Sequence, residues 1–234
     1  MSVTKNHLIF DLLLTVRGGA ISNSEQISEN QVGFWIDNTR VKLIRQDIDK
    51  RHSINPDLVQ SLGCVEVELT DGSECGCKTT GCSIVKTKLQ IPKAIETYYR
   101  NLITRVGPVQ STAIAYSFIP YEQAIWSGNN PYTSKIPKAF LHNGFMYVVG
   151  KRQQIKYLKY INIQGIFESP EDVSSFQTCD GDSCFTVDSK YPISAAMIED
   201  LKRMILEANF RIAATAPTDH SGDSKHDVQQ NIEK

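Results

Sequence analysis

Along the chain the hydrophobic pattern switches period twice. Residues 5–17 are apolar on nearly every face (Leu8, Ile9, Phe10, Leu12, Leu13, Leu14, Val16), with Thr4 placed to cap the first turn and Gly18 where a left-handed C-cap residue belongs. A helix that is apolar all round is buried inside a bundle or between subunits. The polar loop Ser22 to Gln26 separates it from a second helix with a complete start signal. Ser28 as N-cap with Gln31 makes a capping box, and Ile27 with Val32 makes the hydrophobic staple around it. Val32, Trp35, Ile36, Thr39, Leu43, Ile44 and Ile48 then share one face, and Lys50 and Arg51 close the helix against the negative end of its dipole. Asn55-Pro56 opens a short helical turn to Leu62, ended by Gly63.

From Val65 the period becomes two. Val65, Val67 and Leu69 alternate with polar residues up to a turn at Asp71-Gly72, and Ile84 to Ile91 alternates likewise before Pro92. Residues 94–103 fit helix and strand equally, and Val106-Gly107-Pro108 predicts a turn. Pro120 suits the first position of a short helix through Trp126, with Asn129-Asn130-Pro131 as loop. Ala139 to Val149 predicts a hairpin, Asn143-Gly144 being suited to a type I′ turn. Leu158 to Phe167 predicts another strand, and Ser169-Pro170-Glu171-Asp172 starts a helical turn.

The helical period then returns. Ile193-Ser194 with Ile198 repeats the staple and N-cap, and Ile198, Leu201, Met204, Ile205 and Ala208 form one stripe. From Thr215 the chain is too polar to bury a core of its own. Its last turns carry Val228 and Ile232 at i, i+4, a minimal two-anchor stripe for a partner groove. The order of elements predicts an α+β fold with helices over 1–63, a β-rich region with short helices over 64–190, a C-terminal helix over 191–213 and an extended tail over 214–234.

Composition narrows the function classes. With 25 basic and 26 acidic side chains in 234 residues, the net charge is −1. A binder of nucleic acid or of an acidic membrane surface would carry a basic excess. No apolar run reaches the roughly 18 residues of a membrane-spanning helix, and Asp11 with Arg17-Gly18-Gly19 reads against a secretory signal over the first helix. The basic stretch Lys151, Arg152, Lys156 and Lys159, interleaved with Tyr157 and Tyr160, predicts a solvated strand face or the rim of a protein contact before it predicts a phosphate-backbone site.

Enzyme signatures are missing. The sequence holds no phosphate-binding glycine loop, no His-Glu-x-x-His and no Gly-x-Ser-x-Gly, and its five histidines are scattered. The chemically loaded stretch is Cys75-Gly76-Cys77-Lys78-Thr79-Thr80-Gly81-Cys82. Gly76 and Gly81 permit the turns that would bring Cys75, Cys77 and Cys82 to one zinc ion, with Cys64, Cys179 or Cys184 as a fourth ligand. Packed free thiols are the first reading, and zinc or a disulfide such as Cys179–Cys184 are the alternatives. Asp180, Asp182 and Asp188 lack the ligand ladder of a calcium loop and read as a turn.

Several runs taken in order resemble a known family. They are Asp11-Leu12-Leu13-Leu14 with Arg17-Gly18-Gly19, Ser28 through Asp37, Leu43 through Lys50, Ser73-Glu74-Cys75-Gly76-Cys77 with Thr80-Gly81-Cys82, Tyr121-Glu122-Gln123-Ala124 with Trp126, and Tyr160 through Glu168. Over about residues 8–213 the chain is similar to the head–tail connector ring, or adaptor, proteins of crAss-like short-tailed bacteriophages. The resemblance implies a non-enzymatic virion protein without a cofactor, assembled in the host cytoplasm. It implies a ring of about twelve copies under the portal protein, meeting the next tail ring and extending a channel through which DNA passes without specific binding. It also implies a helical bundle with an inserted antiparallel β region and a C-terminal segment reaching onto the portal. The alternative from another class is a small zinc or redox protein built on Cys75, Cys77 and Cys82.

Overall fold

Thr4 caps the first helix as its position predicts, its hydroxyl accepting from the His7 amide at 3.3 Å, and α1 runs Lys5–Val16. The fold is that of a computed structural model, which describes residues 3–16, 27–70, 82–111, 113–124 and 136–210. Outside the described residues lie Gly18, the 22–26 loop, the Asp71-Gly72 turn, Cys75, Cys77, Trp126, Asn129-Asn130-Pro131, the end of the C-terminal segment and the tail with Val228 and Ile232. α1 buries Leu8, Leu12 and Leu13 and leaves Phe10 57% exposed, so one of its apolar faces is uncovered among the described residues.

α2 spans Glu29–Arg51. Ser28 caps it by accepting from the Gln31 amide, and His52 closes it in the left-handed conformation. The predicted stripe is buried at Val32, Ile36, Thr39, Ile44 and Ile48, and Arg40 is buried among them. The turn opened by Asn55 is the 3₁₀ helix Pro56–Leu58.

The strands follow as β1 (Gln60–Ser61), β2 (Val65–Thr70), β3 (Cys82–Thr87), β4 (Ile103–Pro108) and β5 (Ser117–Phe118). After the short helix α3 (Tyr121–Ala124) come β6 (Lys138–His142), β7 (Phe145–Lys151), the helical turn α4 (Arg152–Ile155) and β8 (Tyr160–Gly165). β1 and β2 lie end to end along one edge of β8, since Gln60 faces Gly165 and Val65 faces Ile161. β4 takes the other edge, from Ile103 opposite Gly165 to Pro108 opposite Ile161. The sheet continues β2–β3–β7–β6 antiparallel and adds β5 in parallel to β6. It curls far enough for the Tyr116 amide, just before β5, to donate to the Val106 carbonyl of β4 at 2.7 Å. The result is a barrel-like sheet.

Alternation then sorts the side chains. Val67, Val85, Val106, Ala139, Met146, Val148, Ile161 and Ile163 point into the curl. Ile84, Phe140, Tyr147 and Val149 point outward under α3, where Ala124 is buried. The hairpin turn has the predicted form, with φ 51° at Asn143 and 80° at Gly144.

Three expectations are corrected. Val106-Gly107-Pro108 is the end of a strand and not a turn. β3 stops at Thr87 instead of running on to Ile91. Residues 94–102 form neither helix nor full strand but a short hairpin, with Glu96 opposite Asn101.

α5 (Ile198–Ile205) continues as a π turn over Leu206–Phe210, which sets Phe210 edge-on to Trp35 at 5.1 Å. Ser194 precedes it without capping. Its hydroxyl instead accepts from the Asn55 amide nitrogen at 3.2 Å. α1, α2 and α5 share one apolar core, which also takes in Ile95, Leu102 and Ile166 from the barrel side. No described helix is long and apolar enough to cross a membrane.

Candidate assembly surface

The most deeply built polar site lies where the helices meet the barrel. Arg40 stands one turn after Ile36 and one before Ile44, so the stripe that buries those residues carries its guanidinium inward. Nε donates to the Pro192 carbonyl and Nη1 to the Phe167 carbonyl, both at 2.8 Å, while the Tyr191 ring lies 5.6 Å from the guanidinium carbon. Nη2 has no partner. Burial lowers the Arg40 pKa against the opposing pull of Asp37.

Next to it, Asp37 accepts from the Tyr191 hydroxyl at 2.7 Å and from Lys5 at 2.8 Å, and Lys5 also reaches Glu171 at 2.7 Å. Burial pushes Tyr191 well above its ordinary value. For Lys5 burial pulls downward, but the bonds to Asp37 and Glu171 outweigh it and the pKa is raised. Glu168 adds a second clamp, pairing with Arg45 at 3.1 Å and Lys93 at 3.2 Å. Apart from Arg40 Nη2 and Arg45 Nε, the charged groups here are held by fixed partners, and none stands beside a nucleophile. The site locks α1, α2, the 168–171 segment and the approach to α5 in one relative position.

The cysteines divide. Cys64 and Cys179 form a disulfide across a sequence separation of 115. This corrects the first reading of packed thiols for these two and replaces the proposed Cys179–Cys184 bridge. Cys184 is a free, partly buried thiol whose pKa burial raises. Of the zinc candidates, Cys82 begins β3, whereas Cys75 and Cys77 lie outside the described residues. Among the described residues no three His, Cys, Asp or Glu side chains converge to hold a metal. Asp180 and Asp182 flank a hairpin tip at Gly181, where Asp182 accepts from and donates to Thr178.

The basic stretch lies mainly on the β7–β8 connection and not on a half-buried strand, with the Lys156 ammonium 5.4 Å over the Tyr157 ring. Phe34 of α2, 65% exposed, joins Phe10 of α1 as uncovered aromatic surface. The all-round apolar pattern of residues 5–17 points to the Phe10 face, whereas no apolar pattern in the sequence points to Phe34 or to the buried Arg40 site. For Arg40 only the i, i+4 spacing marks its place on the stripe.

The described residues thus combine a helical core packed against one side of a barrel-like sheet, a structural polar lock between them, and exposed Phe10 and Phe34 on the helices. No curated protein matches the chain at a significant level. The family model described as phage tail ring protein 2, a crAss-type ring family, matches residues 7–229. With nearly its whole length matched, the chain belongs to the phage tail ring protein 2 family.

Proposed function

We propose that this protein is a ring-forming adaptor between portal and tail, extending the channel through which DNA leaves the capsid. The observation that carries this reading is the family match over residues 7–229, which makes the chain a structural tail ring protein of the virion. In this reading the helices, with 1–63 and 191–213 acting as one unit, pack laterally and against the portal. The β-rich region 64–190 meets the next tail ring, and residues 214–234 clamp onto a neighbour through Val228 and Ile232. Uncovered Phe10 and Phe34 support lateral packing of the helices, because a monomer gains nothing by exposing them. The net charge of −1 supports a wall past which DNA slides without sticking. The zinc or redox alternative loses ground, since the disulfide consumes two of its fourth-ligand candidates, Cys64 and Cys179.

Mass measurement of the assembled ring, wild type and lacking residues 215–234, tests the reading. A particle of about twelve subunits is expected, with weakened portal docking in the truncated protein. Stable virions built from the truncated chain would sink the clamp, and a zinc-loaded monomer would sink the adaptor.

A further inference from the structure

Residues 97–100 form a rigid tip. The Thr97 amide donates to the Arg100 carbonyl at 3.0 Å, the Thr97 hydroxyl donates to the same carbonyl at 3.0 Å, and the Arg100 amide reaches back to that hydroxyl at 3.3 Å. At its base Ile95 and Leu102 are fully buried in the helical core. The tip holds Tyr98, 89% exposed, edge-on to Tyr99, 75% exposed, with ring centroids 5.1 Å apart. Tyr99 also leans on His52 at the end of α2, at 6.4 Å. Two large rings held in one posture and left largely exposed among the described residues have the form of interface anchors.

A cavity of about 850 Å³ opens at the other end of the same strand pair, its apolar wall made by Val65, Leu89, Pro108, Leu158 and Phe176 and its polar rim by Lys159 and the Lys88–Glu66 ion pair. That volume falls in the range of about 300–1,000 Å³ that buries a ligand of drug size, comparable with a pair of aromatic side chains. The register fixes the geometry. The tip precedes Ile103, which faces Gly165 at one end of β8, whereas the groove surrounds Pro108 and Ile161 at the other. A strand run of about 17 Å separates the two.

A closed ring needs one patch on each subunit and a different, complementary patch facing it on the next. We infer that the Tyr98–Tyr99 tip of each subunit seats in the Val65–Leu89–Leu158 groove of its neighbour. This inference rests on the ring reading, and supplies the knob and the hole that a head-to-tail contact requires.

The test uses the full chain. Wild type, the tip variant Y98A/Y99A and the groove variant L89R are titrated for assembly by analytical ultracentrifugation, and a photo-crosslinking benzoylphenylalanine is placed at position 98. Loss of hot-spot aromatics should raise the midpoint concentration for assembly about thirtyfold. Melting temperatures of the dissociated variants should stay at the wild-type value, because Tyr98, Tyr99 and Leu89 are all exposed. Crosslinks should join position 98 to residues of the groove in a different copy, 64–66, 88–89, 108–110, 157–160 or 175–181. Rings that form as readily in Y98A/Y99A as in wild type, or crosslinks to other regions or another virion protein, overturn the tip-in-groove contact and leave the ring reading standing. A wild-type chain that is monomeric both alone and in the virion overturns both.

Discussion

A buried guanidinium is tolerated only where its donors find acceptors, and Arg40 finds two backbone carbonyls that lysine's single ammonium could not fork between. The surrounding groups make stability depend on alkaline pH. Tyr191 is raised well above 10.0 by its burial first, with Arg40 opposing and Asp37 and Glu171 adding to the rise. Lys5 is raised above 10.5 because its bonds to Asp37 and Glu171 outweigh its burial. In both cases the folded chain holds a proton that the unfolded chain has released. Their contribution is therefore complete below about pH 10 and is lost as pH rises through the folded pKa values, at up to about 1.4 kcal/mol per pH unit for each group. Arg40, whose pKa burial lowers, sheds its proton earlier when folded and opposes this slope at the far alkaline end. Urea midpoints should hold steady from pH 8 to about 9, slip as the raised Cys184 thiol begins to titrate, and fall more steeply above about pH 10. Tyr191→Phe should lose about 1 kcal/mol at pH 8 with its bond to Asp37, yet fall less steeply above pH 10. Equal alkaline slopes in the variant and wild type would contradict this account of the site.

Among the connecting elements, two glycines with positive φ differ in what a side chain would meet. At Gly63, φ +65°, a Cβ would sit 2.4 Å from the Gln177 carbonyl oxygen and 2.7 Å from the Cys184 sulfur, whereas at Gly144, φ +80°, only the Gln90 side chain lies near, at 3.7 Å. Gly63→Ala should therefore cost more than about 2 kcal/mol in denaturant titrations, and Gly144→Ala about 1 kcal/mol. Equal losses would mean that backbone strain alone, without the collision, sets both. The Gly144 turn was legible in advance because Asn-Gly between two apolar runs states its own geometry. The Ser28 cap and the Val65–Val67 alternation of β2 were legible for the same reason, as local patterns with one local solution, although Leu69, the next position of that alternation, is 61% exposed. β4 was not. Gly107-Pro108 reads as a turn, yet Gly107 is in a strand because a Cβ there would lie 2.5 Å from the Ile114 carbonyl oxygen, and Pro108 is tolerated at the strand's last position. Residues 94–102 were ambiguous because Ile95 and Leu102 turn inward while Tyr98 and Tyr99 turn out at a tip, which matches neither period. Arg40 gives no such signal, because a charge counts as polar in any hydrophobic periodicity, although its spacing places it on the buried stripe.

At the scale of the whole molecule the disulfide has no local signature, since it joins residues 115 apart. Cys64 lies just ahead of β2, and Cys179 in the 177–183 hairpin that follows the barrel, where the Cys64 amide donates to the Gln177 carbonyl at 2.9 Å. The bond thus closes a loop containing every strand from β2 to β8. Closing a loop of that length restricts the unfolded chain by about 4–5 kcal/mol in the chain-entropy account. For a protein of this size that corresponds to a fall in melting temperature of about 10 °C when the bond is reduced. The barrel and helical cores do not depend on it for their packing, so the reduced chain should still melt cooperatively. The paired variant C64S/C179S should melt where the reduced wild type does and ignore added reductant. Cys184 supplies an internal check: burial raises its thiol pKa and slows its alkylation, so the thiols freed by reduction of the bond should react in addition to Cys184 and not in place of it. A wild-type melting temperature that does not move on full reduction, with free Cys64 and Cys179 verified by alkylation, would show that the link between the two ends of the barrel is held by packing and hydrogen bonds alone.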